Sequence, residues 1–207
     1  MLELLTGTGL AAAAGLNAYI PLLTLGLAGR FLDFVTLPAG WTWLSNDWVL
    51  IILGVLLVIE IVADKIPVVD TVNDWIQTIV RPAAGGIVFG TGASTTTNAI
   101  EDPAQFFENN NWVPIALGVG LSLVVHLTKM AARPALNAVT FGVAAPVLST
   151  VEDASSVTLA VLAILAPLLV VIALAGLVLL FVVIFRRARR NRKAAAPVPP
   201  IPTPTAS

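Results

Sequence analysis

The sequence predicts an all-α fold, a polytopic transmembrane helix bundle of about six spans. Three observations carry that expectation. Of 207 residues, 57% are hydrophobic and only 11% are charged, against about 25% charged in soluble domains. Two apolar stretches, Trp48 to Ala63 with Glu60 as its one charge and Val157 to Phe185 with none, approach or exceed the roughly 20 residues that a bilayer crossing requires. Six of the 11 basic residues are gathered between Arg186 and Lys193, which is how the cytoplasmic flank of a last span reads under the positive-inside rule.

The elements follow in chain order. Residues 9–29 form the first span, pale in composition, with Asn17 embedded. The chain before Ala18 has small residues but Glu3 in place of a positive n-region, so it is expected to be retained rather than cleaved as a signal. Residues 48–63 form the second span. Residues 68–81 are amphipathic: Val68, Val69, Val72, Trp75, Ile76, Ile79 and Val80 recur at helical spacing, with Asp70, Asn73, Asp74, Gln77 and Arg81 on the other stripe. A helix lying on a lipid surface normally carries Lys and Arg on its polar face, whereas this one carries Asp70 and Asp74, so it is expected to dock in the protein.

Residues 83–100 are a second pale span, with Gly86-x-x-x-Gly90, Thr95 to Thr97 and Asn98. Small residues let helices approach closely in lipid, and amides at that depth need protein or water partners. The fourth span, 112–127, follows Asn109 to Asn111 and has Pro114 in its first turn, where a missing N–H costs least. Residues 134–150, with Asn137, are the third pale span, and 157–185 the last. Re-entrant hairpins or loops are the alternative for the pale segments, because Pro21 and Pro146 could break them. Residues 186–207 are a basic and then proline-rich tail with no apolar periodicity, expected to be disordered.

Six crossings put both termini on the cytoplasmic side. Lys65, Arg81, Lys129 and Arg133 then fall in inner connections and only Arg30 in an outer one, while Asp33 to Asp47, Glu101 to Asn111 and Glu152 to Ser156 face the exterior. An internal repeat is also expected. At an offset of 64, Trp48-Val49, Leu53-Gly54-Val55, Leu57 and Lys65 match Trp112-Val113, Leu117-Gly118-Val119, Leu121 and Lys129. Arg81-Pro82-Ala83 recurs as Arg133-Pro134-Ala135, and Leu16-Asn17-Ala18 as Leu136-Asn137-Ala138. The chain therefore reads as three tandem helix pairs in parallel repeat, with chance alignment of Ala/Gly/Val-rich helices as the alternative.

Several chemistries are excluded. Without Cys there is no thiolate nucleophile or Cys-ligated metal, and the single His126 rules out a site built on several histidines. Gly85-Gly86-x-x-x-Gly90-x-Gly92 matches neither phosphate-cradling glycine pattern, and no nucleophile elbow is present. No enzymatic activity, cofactor or nucleic-acid partner is expected. What remains is charge in an apolar setting. Glu60 and Asp64 lie one turn apart at the C-terminal end of the second span, where the helix dipole disfavours negative charge. Lys65 and Arg81 are the nearest compensating charges. The plainer reading is a salt-bridged network. The functional reading is that Glu60, Asp64, Asp70 and Asp74 hold a proton or a hard cation, although their spacing fits no specific metal motif, so the metal is unknown. His126 is a proton relay or a hydrogen-bonded packing residue.

Gly15-Leu16-Asn17-Ala18-Tyr19, then Glu60 with Asp64-Lys65-x-Pro67-x-x-Asp70, then Arg81-Pro82-Ala83-Ala84-Gly85 resemble a bacterial integral membrane family catalogued as domain of unknown function 4126, over roughly residues 5 to 185. The resemblance implies a small multi-pass protein of the bacterial inner membrane and brings no established reaction, ligand or partner. The expected function is a small transporter or channel for a proton, small cation or small polar solute. Its path would be lined by Asn17, Thr91, Thr95, Asn98 and Asn137, with His126 and an acidic mouth at Glu60, Asp64, Asp70 and Asp74. The alternatives are a noncatalytic membrane scaffold or accessory subunit and, more weakly, lipid handling by a basic ring of Lys65, Arg81, Lys129 and Arg133. The bilayer is the expected partner, and a homo-oligomer or a membrane-protein partner is left open.

Overall fold

The computed structural model describes residues 1–92, 112–140 and 145–194. Thr95 to Asn98, the 101–111 connection and the chain after 194 lie outside the described residues, as do the side chains of Asp70, Arg133 and Asn137. Every element among the described residues is helical: α1 (Leu2–Leu16), α2 (Tyr19–Phe31), a 3₁₀ helix (Ala39–Ser45), α3 (Asp47–Ala63), α4 (Pro67–Gly92), α5 (Trp112–Thr140), α6 (Ala145–Leu165) and α7 (Pro167–Ala194). Among the described residues two helices are long and apolar enough to cross a membrane, Trp112–Ala132 and Pro146–Leu165, or three if the 3₁₀ helix and α3, bent by 62°, count as one. This is a membrane-associated, all-helical protein.

The first expected span is not one helix. Residues 9–29 fall in two helices that fold back on each other at Asn17-Ala18. Leu25 of α2 lines the same cavity as Thr6 of α1, which fixes the return direction. At 15 and 13 residues the two arms are about 22 and 20 Å long, each short of a hydrocarbon core about 30 Å thick. The break has a local cause. Asn17 is extended, at φ −146° and ψ 124°, and its Oδ1 accepts from the N–H groups of Tyr19 and Ile20, which caps the new helix. Pro21 then sits in the first turn of α2, where its missing N–H removes no helical bond.

Four other boundaries differ from expectation. The amphipathic stretch and the pale residues after it are one helix, α4, with Pro82 inside it; the Ser122 hydroxyl donates to the Arg81 carbonyl beside that proline. Helix α5 runs through Pro134 to Thr140, so residues 134–150 are not a separate span. Internal prolines are tolerated where neighbouring helices supply substitute partners. The last expected span is divided at Ala166, because Pro167 opens a new helix. Helix α7 also continues through the basic run as far as Ala194, as the high helix propensity of Arg, Ala and Lys allows.

Helix α1 is the central rod, packed against α2, α4, α5, α6 and α7. It can be so because seven of its last ten residues are Ala or Gly, and each of the ten is buried except Thr8. A Cβ on Gly15 would stand 2.6 Å from Val125 Cβ and 2.7 Å from the Ser122 carbonyl oxygen, and one on Gly9 would stand 2.8 Å from Ala163 Cβ. Polarity is inverted relative to a soluble bundle. On α4 the apolar Val72, Trp75, Ile76 and Ile79 are exposed while Asp74, Gln77 and Arg81 are buried. On α3, Ile51, Ile52, Val55, Val58, Ile59 and Val62 face outward and Glu60 inward. Such exposed apolar area marks contact with lipid or protein rather than water.

Candidate functional site: a buried charge network at a helix break

The tip of the α1/α2 hairpin meets the end of α3 and the middle stretches of α4, α5 and α6 in a cluster of charged side chains. Glu60, Asp64, Arg81, His126, Lys129 and Glu152 are each 4% exposed or less. Helix α3 supplies Glu60 and its C-cap residue Asp64, four residues on. Arg81 comes from the inward stripe of α4. Glu60 Oε1 accepts from Arg81 Nη2 at 2.8 Å, and Asp64 Oδ2 lies 3.7 Å from the same nitrogen. Asp64 Oδ1 also accepts from Asn73 Nδ2 at 2.8 Å. Charges this far from water persist only when paired and hydrogen-bonded, and the helices bring those partners together from 9 to 21 residues apart.

Lys129 of α5 is the second hub. Its Nζ stands 2.9 Å from Glu152 Oε2 and 3.4 Å from Asp64 Oδ2, and it donates to the Leu16 carbonyl at 3.3 Å. That carbonyl belongs to the last turn of α1, where four C=O groups lack helical partners and the dipole favours a cation. Ser156 of α6 donates to the Ala13 carbonyl of the same turn at 2.9 Å. Asn17 holds both sides of the break: its Oδ1 caps α2, and its Nδ2 donates to Asp153 Oδ1 at 3.0 Å.

Of the expected site residues, Glu60, Asp64, Arg81, His126, Lys129 and Asn17 converge here, with Asp74 also buried on the inward face of α4. Lys65 does not join them. It is exposed and donates to the Ile61 carbonyl at 3.3 Å, so Lys65 and Lys129, equivalent in the sequence repeat, occupy unlike settings. Thr91 is also elsewhere. It lines a cavity of about 330 Å³ with Thr6, Leu25 and Ile164 at the opposite end of α1. Lys129, expected on the inner face, and Glu152, expected on the outer one, are in direct contact, so the two expectations do not hold together. Both sit in mid-helix, and the contact forbids opposite sides of a membrane.

Sequence reasoning missed Glu152, Asp153, Asn73, Ser122 and Ser156 as members of the network. Arg81 and Lys129 are held by carboxylates, which counts against a ring open to a lipid phosphate. Among the described residues no group of three or more His, Asp or Glu side chains is arranged to hold a metal ion.

The fold and this site together define a helical membrane protein built around a buried ion-pair network at a broken helix. The family described as Domain of unknown function (DUF4126) matches residues 4–187, and the chain belongs to it. No curated protein and no solved structure matches the chain.

Proposed function

We propose that the protein is a membrane transporter that moves a proton or small cation through the Glu60, Asp64, Arg81, Lys129 and Glu152 network. The observation that carries this reading is the break at Asn17. Half-helices that end inside a bundle, their termini turned toward charged side chains, are how transporters build ion sites near the bilayer midplane, and ionisable side chains at such depth are costly enough to need a purpose. Here the carbonyl end of α1 meets the Lys129 ammonium.

In this reading α3 to α7 cross the bilayer, and α1 and α2 enter and leave by one face. The basic run at the end of α7 is cytoplasmic, so the start of α1 lies on the exterior, with the cavity beside Thr6 and Thr91 as the outer approach. Five crossings and a hairpin thus replace six crossings with both termini inside. The bacterial inner membrane is the proposed location.

Flux of protons and monovalent cations into proteoliposomes under an imposed gradient tests the proposal, with Glu60→Gln and Glu152→Gln as comparisons. Wild-type flux above empty liposomes, lost in the folded variants, is expected. Absence of wild-type flux would overturn it. A noncatalytic scaffold is the second reading, favoured by one observation: both the oxygen and the nitrogen of the Asn17 amide are hydrogen-bonded within the protein, and the residue has no exposed surface.

A further inference from the structure

Lys129 is an unusual residue to find without water contact. Its side chain is 0% exposed, and its ammonium is gripped by oxygens from three separate helices: Glu152 Oε2 of α6 at 2.9 Å, the Leu16 carbonyl of α1 at 3.3 Å and Asp64 Oδ2 at the end of α3 at 3.4 Å. Two of these are carboxylate oxygens, and the third is a carbonyl at the negative end of a helix dipole. All three are hard ligands. The set therefore already holds a cation, and that cation belongs to the protein itself.

We propose that the oxygens around Lys129 Nζ form a binding site for a monovalent cation, which the tethered ammonium fills in this conformation and which Na⁺, K⁺ or NH₄⁺ fills when the lysine side chain is withdrawn. The resident ammonium carries one positive charge, so a monovalent ion is the replacement that leaves the charge of the site as it is. A divalent ion would want six or more oxygens or retained waters, and among the described residues no three-residue metal cluster exists. Charge balance sets the exchange. One external cation replaces one ammonium, so the net charge of the buried network is the same before and after, and the cost of burying unpaired carboxylates is never met in full.

The exchange also has mechanical meaning. The Lys129 ammonium ties the end of α1 to α3 and α6 through one flexible stem rooted in α5. A free cation keeps those oxygens of α1, α3 and α6 together but releases them from the Lys129 stem of α5. The proposal rests on the transport reading for this consequence, since exchange of a tethered for a free cation is a step that an ion-coupled carrier can use. Its test reads binding, not flux, so the two can fail separately.

The test is Lys129→Ala, purified in detergent and melted in the chlorides of sodium, potassium, ammonium, methylammonium and N-methylglucamine at equal ionic strength. The small side chain removes the ammonium from the three oxygens, with Arg81 Nη2 still 3.7 Å from Asp64 Oδ2. A saturable rise in Tm of about 3 °C or more is expected with one or more of the small cations and none with N-methylglucamine, and Glu152→Gln added to Lys129→Ala should abolish the rise. A folded variant whose Tm is the same in every salt would overturn the proposal. Should the variant fold poorly, its yield as a monodisperse peak is compared across the same salts. Recovery in a small-cation salt alone supports the site, and no recovery in any salt counts against it. Cation-dependent melting alongside no wild-type flux would remove the transport reading and leave the site.

Discussion

Arg81 Nη1 and His126 Nδ1 share a hydrogen bond at 3.1 Å, and its direction is fixed, because a guanidinium has donors and no acceptor. Nδ1 therefore carries no proton, and His126 is the neutral Nε2–H tautomer. That proton faces Thr78 Oγ1 at 3.1 Å, and the threonine hydroxyl passes its own to the Asp74 carbonyl at 2.9 Å.

His126 is the single histidine of the chain, so ¹⁵N-histidine labelling reads its state directly. The spectrum should show an unprotonated Nδ1 and a protonated Nε2; the opposite tautomer would refute the assignment. His126→Leu, which leaves Arg81 Nη1 without its acceptor, should cost about 1–3 kcal/mol in a detergent melt. His126→Asn, whose oxygen can approach the place of Nδ1, should recover part of that.

Removing one member of the Glu60–Arg81 pair exposes the other to an apolar interior. Arg81→Met should destabilise by about 3–5 kcal/mol, whereas Glu60→Met combined with Arg81→Met should cost far less than the sum of the single changes, since a packed apolar pair can replace a buried salt bridge. Additive losses in the double variant would show that the two side chains are not coupled. Lys65→Ala, on the surface, should lie within about 0.5 kcal/mol of wild type.

Asn17 combines a cap with a cross-link. Asn17→Ala should lose about 1–2 kcal/mol from the cap and leave Asp153 without its amide. Asn17→Asp keeps the capping oxygen but sets a second carboxylate against Asp153, and is expected to be worse than Ala. Thermal melts rank the three chains, and an Asp variant more stable than the Ala variant would contradict the pairing.

Glycines separate into two groups. A Cβ on Gly85 would collide with Ser122 Cβ and stand 2.7 Å from the Gly118 carbonyl oxygen, while Gly120 and Gly176 have nothing within 4 Å. Gly85→Ala should therefore cost about 1–3 kcal/mol, and Gly120→Ala and Gly176→Ala should be neutral or gain up to about 1 kcal/mol from helix propensity. Equal melting temperatures for the Gly85 and Gly120 variants would speak against the close crossing.

Much of this site can be read in the linear chain, for reasons that are local. Glu60 and Asp64 at a helix C-terminus call for a cation, and Arg81 lies on the one stripe of α4 that could face them. Glu152 is harder, because a window of mean hydropathy sees a charged pair and scores a loop. The better signal is positional: Ser149, Glu152, Ser156, Ala160 and Ala163 fall on one helical stripe and are all buried, so the polar residues mark an inward face rather than an exit. Hydropathy is equally blind to the α1/α2 break, since two half-length helices and one full-length helix have the same apolar content. Asn17 followed by Pro21 has the form of a helix start, and only capping chemistry distinguishes it.

The crossing of α4 and α5 at Gly85 and Gly118 has a further consequence. A Cβ on either residue would run into the backbone of the other helix, so at that depth the two helices are already as near as main chains can come. Sliding either one along its axis would drive a side chain into the space that only a glycine can vacate. The pair is left with a single easy freedom, to change its crossing angle about that point like scissors about a rivet, and because Arg81 and His126 lie to one side of it, parting the helices at the ends that bear Gly92 and Trp112 must also draw those two residues apart.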